Sequence, residues 1–165
     1  PTLPPVAGCT FAIAPVFAGF YNEDNMGCPT SDPQTGTGSY QLFEEGFMVH
    51  DPIADRIFVF TTPDDDDDDD NARIEREWLA FDDEWQPGDE EFSCPQAEQE
   101  GGPVRGFGLV WCDNPQVRNT LGNIESGETL GELTLQSTQF ALLINVPARP
   151  AQLALFGNQT YVERQ

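Results

Sequence analysis

Apolar and polar positions along the chain fall into paired runs. Residues 43–50 and 56–60 are mostly apolar and flank Asp51-Pro52-Ile53-Ala54-Asp55, whose Asp-Pro step starts a turn. Residues 139–146 and 152–156 flank Pro147-Ala148-Arg149-Pro150, where the two prolines end the neighbouring ladders. Each pair predicts a β-hairpin. A third strand is predicted at 160–163, directly after the turn Gly157-Asn158-Gln159, and its counterpart at 77–81. Residues 72–81 would also place Ile74, Trp78 and Phe81 on one helical face, but the repeat described next favours the strand. Residues 115–120 predict a short helix, with Asp113 or Asn114 as cap, Pro115 at its first position and Gly122 at its exit. The segment 11–20 is apolar but broken by Pro15 and Gly19, so it reads as core-lining chain. Gly36-Thr37-Gly38-Ser39 reads as a turn; it lacks the lysine and spacing of a phosphate loop.

The same order of features occurs twice. Phe17-Ala18-Gly19-Phe20-Tyr21 answers Phe107-Gly108-Leu109-Val110-Trp111, and Met26-Gly27 answers Leu121-Gly122 after five extra residues in the second copy. Gln41 and Met48 lie 95 positions before Gln136 and Leu143, while Ile57-Phe58-Val59-Phe60 answers Leu153-Ala154-Leu155-Phe156 with a slip of one. The fold class expected is therefore β-rich α+β: two diverged copies of a short helix plus β-hairpin, three-strand unit, with long turns. The first repeat unit covers 1–81, an acidic Gly/Pro linker 82–103, and the second unit 104–165. On this alignment the first copy carries 13 additional residues before its third strand. Asp64, Asp65, Asp66, Asp67, Asp68, Asp69 and Asp70 sit in that insertion, where loop length adds little entropy and like charges stay solvated.

Charge alters the picture of partners. The chain has 29 acidic residues against seven arginines and no lysine, a formal charge of −22, and removing the aspartate run leaves the remainder strongly negative. Such a field repels nucleic acid and favours divalent cations, basic partners or a salty medium. Calcium on 64–70 is the candidate ion, although the run lacks the glycine-turned spacing of an EF-hand. No apolar segment reaches transmembrane length.

Cys9, Cys28, Cys94 and Cys112 form an even set without a CxxC pair, pointing to two disulfides and an oxidising compartment. Three pairings are open. The repeat map favours the local pairs Cys9–Cys28 and Cys94–Cys112, which close loops of about 20 residues and contribute roughly 3 kcal/mol each by loop entropy. Among groups that carry chemistry, His50 is the one histidine and reads as a structural residue beside Asp51. Glu44 and Glu45, adjacent in a strand, would face opposite sides and make poor catalytic partners. Asp83 and Trp85 could line a cleft, leaving a carboxylate-based glycoside hydrolase as a remote alternative. With one unanchored base and no triad, the chain reads as no enzyme. Tyr21, Trp78, Trp85 and Trp111 are the aromatics able to stack on a glycan or anchor a protein partner, against the plainer reading that most are core. Asn158-Gln159-Thr160 is a formal N-glycosylation sequon.

Met26-Gly27-Cys28-Pro29-Thr30 and Gln41-x-Phe43-Glu44-x-Gly46-x-Met48 resemble the LGFP type of repeat of bacterial cell-envelope proteins. Val104-Arg105-Gly106-Phe107-Gly108-Leu109-Val110-Trp111, leading into Asn114-Pro115-x-Val117-Arg118-x-x-Leu121-Gly122, is similar to extracellular repeats of filamentous phototrophic bacteria. Phe81-Asp82-Asp83-x-Trp85-x-x-Gly88-Asp89 is similar to the piece linking such repeats. The second copy departs from the pattern, with Gln139 for Glu44 and Ala141 for Gly46. The resemblance implies an exported envelope or cell-surface location and a non-catalytic role; unpaired strand edges favour a structural or assembly module making protein–protein contacts, with other envelope proteins or by self-association. The alternative is a monomeric glycan- or calcium-binding module.

Overall fold

Residues 6–62 and 77–165 are described by the computed structural model, so the aspartate run 64–70 and Ile74 lie outside the described residues. A 3-10 turn at Pro15–Phe17 precedes α1 (Glu23–Met26) and four strands, β1 (Gln34–Phe43), β2 (Gly46–Asp51), β3 (Arg56–Thr61) and β4 (Trp78–Asp82). A second 3-10 turn, Pro95–Ala97, leads to α2 (Arg105–Asp113) and α3 (Pro115–Leu121), then β5 (Thr129–Ser137), β6 (Ala141–Val146), β7 (Ala151–Phe156) and β8 (Tyr161–Arg164). The fold is mixed α+β with antiparallel ladders.

The chain divides into two compact units: a central one, Gly38–Leu130, and a terminal one made of Pro1–Thr37 and Gly131–Gln165. The central unit holds the strand order β4-β3-β2-β1 with α2 and α3, and the terminal unit holds β5-β6-β7-β8 with α1. These boundaries differ from the sequence copies expected at 1–81 and 104–165, because each unit joins the hairpins of one copy to the helical segment of the other. The hydrogen bonds show the exchange. In the terminal unit the N–H groups of Gln139 and Phe140 donate to the carbonyls of Cys28 and Met26. In the central unit Glu44 and Glu45, 95 positions earlier, donate to Asn123 and Leu121 in the same way. The bridges Pro29↔Thr138 and Phe43↔Ile124 repeat the correspondence.

Register extends it through the ladders. Gln41 pairs with Met48 and Met48 with Val59; Gln136 pairs with Leu143 and Leu143 with Ala154. The 95-residue offset therefore holds through the hairpin, and the expected slip of one at 57–60 is corrected. Phe60 faces Trp78 as Leu155 faces Tyr161, which makes the insertion in the first copy 12 residues rather than 13.

Each copy builds four strands, not three. The stretch Gly36-Thr37-Gly38-Ser39, read as a turn, belongs to β1, where Ser39 pairs with His50. Ladder formation overrides the turn preference of glycine and serine because strand propensity depends on pairing and burial more than on local composition. Glu44 and Glu45 are not in a strand: Phe43 pairs with Gly46, so the two glutamates form the turn between β1 and β2. The helix α2 was not legible because Gly106 and Gly108 are poor helix formers. Both are required by space, since a Cβ at Gly108 would lie 2.8 Å from the Pro103 carbonyl oxygen and one at Gly106 would strike Asp83.

α3 begins and ends where the sequence placed it, at Asn114 and at Gly122, whose φ of 70° suits glycine. The Asn114 side chain does not cap α3; its Nδ2 donates to the Val110 carbonyl and closes α2 instead. The central core packs Phe107, Val110, Trp111, Val117 and Leu121 of the helices onto Met48, Ile57 and Val59 of the strands. The terminal core packs Ile13, Phe17 and Met26 onto Leu143 and Ala154. Disulfides join Cys9 to Cys28 and Cys94 to Cys112, with Cα separations of 5.4 and 5.8 Å, as the repeat map favours. Among the described residues no helix is long and apolar enough to cross a membrane.

Candidate functional site

The β2–β3 connection of the central unit is shaped by Asp51, which is 3% exposed and accepts hydrogen bonds from the Ile53 and Ala54 N–H groups at 2.8 and 3.2 Å. The turn closes through Asp55 in the left-handed region, φ 53°, a conformation aspartate tolerates better than most side chains. His50, at the end of β2, is thereby set across the hairpin mouth from Asp55, and its Nε2 lies 3.1 Å from Asp55 Oδ1.

A third group arrives from beyond β4. The Asp83 N–H donates to the Asp55 carbonyl at 3.0 Å, and Asp83 Oδ1 accepts from the Trp85 N–H at 3.1 Å. That leaves Asp83 Oδ2 3.7 Å from His50 Nε2. The start of α2 closes over this carboxylate: a Cβ at Gly106 would come within 2.3 Å of Asp83 Oδ1, so glycine makes room for it. The imidazole and Asp83 are 23% and 17% exposed, whereas Asp55 is 71% exposed and opens the cluster to solvent. Nearby cations have other partners, Arg56 with Asp82 at 3.8 Å and Arg105 with Glu91 at 3.6 Å. Arg105 also lies over the Trp85 ring, 5.9 Å from its centre.

The reading of His50 as a purely structural residue is thus incomplete, since the structure brings it together with two carboxylates. Sequence reasoning linked Asp83 with Trp85 but missed Asp55. The signal for it was present: His50 and Asp55 flank a predicted hairpin turn, and pairing of the strands returns the second to the first.

Two groups among the described residues have donor atoms close enough to hold a metal ion: His50, Asp55 and Asp83, and Cys9, Glu23 and Cys28. In the second group the sulfurs are joined in a disulfide, which removes the thiolate that binds metal. The expected calcium ligands 64–70 lie outside the described residues.

The aromatic candidates do not form one stacking face. Trp111 is buried in the central core, with Arg118 5.3 Å above its ring. Trp78 packs edge-on against Phe58, and Trp85 Nε1 donates to the Glu90 carbonyl at 3.2 Å. Tyr21 packs on the terminal core and donates its hydroxyl to the Gly27 carbonyl at 2.8 Å. Burial, and then the nearby Glu23 carboxylate, push the Tyr21 phenol above its ordinary range.

The corresponding hairpin mouth of the terminal unit is chemically different. Register places Asn145 where the central unit has His50, and Pro150 where it has Asp55. A cleft of about 500 Å³ opens there, lined by Asn145, Pro147, Pro150, Gln152 and Arg164. Arg164 donates to the Gly19 carbonyl and Gln152 to that of Val16. None of Tyr21, Trp78, Trp85 and Trp111 is in its lining.

Fold and site together define an antiparallel α+β protein with one disulfide in each compact unit and a histidine–carboxylate cluster in the central one. No protein-family model matches the chain, and no curated protein or solved structure matches it.

Proposed function

We propose that the chain is a non-catalytic extracellular or cell-surface module that makes protein–protein contacts, self-association included. The observation that carries this reading is Phe140. It occupies the tight turn between β5 and β6 and is 59% exposed, at the position where the first copy places Glu45. An aromatic ring at a turn tip that its duplicate fills with a charge is the kind of side chain that anchors a protein contact. The paired cysteines support an oxidising compartment, and the resemblance to envelope repeats points the same way.

Light scattering across a concentration series, at low and high salt, tests the reading. The expected outcome is a rise in mass with concentration, strongest where salt screens the acidic surface, and its loss in Phe140→Ser. A chain that stays monomeric throughout and binds sugars on a glycan array would replace the assembly reading with the ligand-binding one.

A further inference from the structure

We infer that His50, Asp55 and Asp83 form a binding site for a divalent transition-metal ion of the zinc class, distinct from the aspartate run to which composition directs attention. Ligands about 2.1 Å from one ion stand about 3.0 Å apart at octahedral angles and about 3.4 Å apart at tetrahedral ones. The His50 Nε2 separations of 3.1 Å from Asp55 and 3.7 Å from Asp83 lie near those spacings, and all three donor atoms lie within 4.8 Å of one another. One imidazole nitrogen and two carboxylate oxygens suit a borderline ion such as Zn²⁺ better than calcium, which takes six to eight oxygens.

The donors are held in place before any ion arrives. Asp83 is fixed by its backbone bond to Asp55 and by the Trp85 N–H on its other oxygen, and Gly106 leaves space for the carboxylate. Asp55 is fixed by the Asp51-braced turn. Three protein ligands with an exposed side at Asp55 leave coordination positions for water or an external donor.

The duplicate supplies an independent argument. The terminal unit folds the same hairpin with Asn145 and Pro150 in place of His50 and Asp55, so the ladder does not need these donors. A histidine and an aspartate facing each other at one hairpin mouth only are a local chemical feature, not a requirement of the strand pairing.

The test is calorimetric titration of the intact chain with ZnCl₂, against CaCl₂ at the same ionic strength. One zinc site is expected, with calcium binding diffusely. His50→Ala and Asp83→Asn should each weaken zinc binding by more than about 10–100-fold, the loss typical of removing even a partner that only orients a ligand. Asp55→Asn keeps a residue that tolerates the left-handed turn, so it reports on the carboxylate even if either other variant folds poorly. Zinc heats unchanged in Asp55→Asn, or abolished by replacing 64–70 with Ser/Gly while His50→Ala has no effect, would overturn the assignment. So would the absence of zinc binding by the unaltered chain.

Discussion

The central and terminal units are built from the same strand-and-helix correspondence, yet they satisfy it with different chemistry. Gln41 and Gln136 occupy equivalent positions and are both fully buried. Gln136 donates to the carbonyls of Ala12 and Ser31 and accepts from the Ala14 N–H at 2.8 Å. Gln41 donates to the carbonyls of Gly101 and Ser126, but its Oε1 has no partner among the described residues. The difference follows from what packs in front of each glutamine. In the terminal unit the Ala14 N–H, just before the Pro15–Phe17 turn, meets the amide oxygen, whereas in the central unit no described donor does. A buried amide thus ties two loops to a strand in both units, and the central unit retains an unmatched acceptor.

The turn glutamates show how a substitution can preserve a role. Glu44 accepts from the Asn123 N–H at 2.9 Å, and Gln139 accepts from the Cys28 N–H at 2.9 Å through its amide oxygen. Each side chain receives the first N–H after the helix-ending glycine of the other copy, Gly122 or Gly27. The departure at Gln139 therefore keeps the hydrogen bond and discards the charge. At the hairpin mouths the divergence changes the chemistry instead, from His50 and Asp55 to Asn145 and Pro150.

Removing the disulfides should break the comparison most. Cys9→Ser/Cys28→Ser and Cys94→Ser/Cys112→Ser are each expected to lower stability by roughly 3 kcal/mol, because the two loops have nearly equal length. Denaturant unfolding of the two variants checks this; a large loss from one pair only would mean the units do not depend equally on their staples. Next in size is the glutamine pair. Gln136→Leu leaves two carbonyls and one N–H without their partner, while Gln41→Leu leaves two carbonyls and removes an unmatched oxygen. Gln136→Leu should therefore be the more destabilising by about 1–2 kcal/mol, and equal values would contradict the inequality of the two networks.

The smallest expected effect concerns Glu44. The Asn123 N–H, and then the Asn123 side-chain amide, hold its carboxyl below the ordinary value. A carboxylate with a lowered folded-state pKa adds stability above its unfolded pKa and loses it as pH falls through the folded one. Glu44→Gln, which copies the terminal unit, should remove that part of the acid sensitivity together with the small stabilisation the carboxylate adds at neutral pH. Carboxyl-carbon NMR titration of Glu44 in the unaltered chain measures the shift directly, and an ordinary titration would sink the assignment.

The hairpins, the third-strand pairs 77–81 and 160–163, the short helix after Asn114 and the local disulfides were legible because each rests on nearby chemistry. Apolar runs, proline and glycine positions, and cysteine spacing act within about 20 residues. The aspartate run was the loudest signal, and its calcium reading lies outside the described residues. The cluster at His50 was quieter, because it needs a strand end, a hairpin turn and the chain past β4 to meet at one point. The strand β1 and the helix α2 were hidden by glycines whose local preferences are overruled by a ladder partner and by close packing.

By itself, then, the sequence determined a disulfide-braced α+β chain and the places of its hairpins and turns. Only the tertiary structure decided which halves go together. The 95-residue repeat is equally compatible with each copy folding on itself or with the helical segment of one copy docking on the hairpins of the other, since equivalent segments present equivalent surfaces. The observed exchange, with Leu121 and Asn123 on Glu45 and Glu44 and with Met26 and Cys28 on Phe140 and Gln139, is a choice of partner that no pattern within one copy encodes.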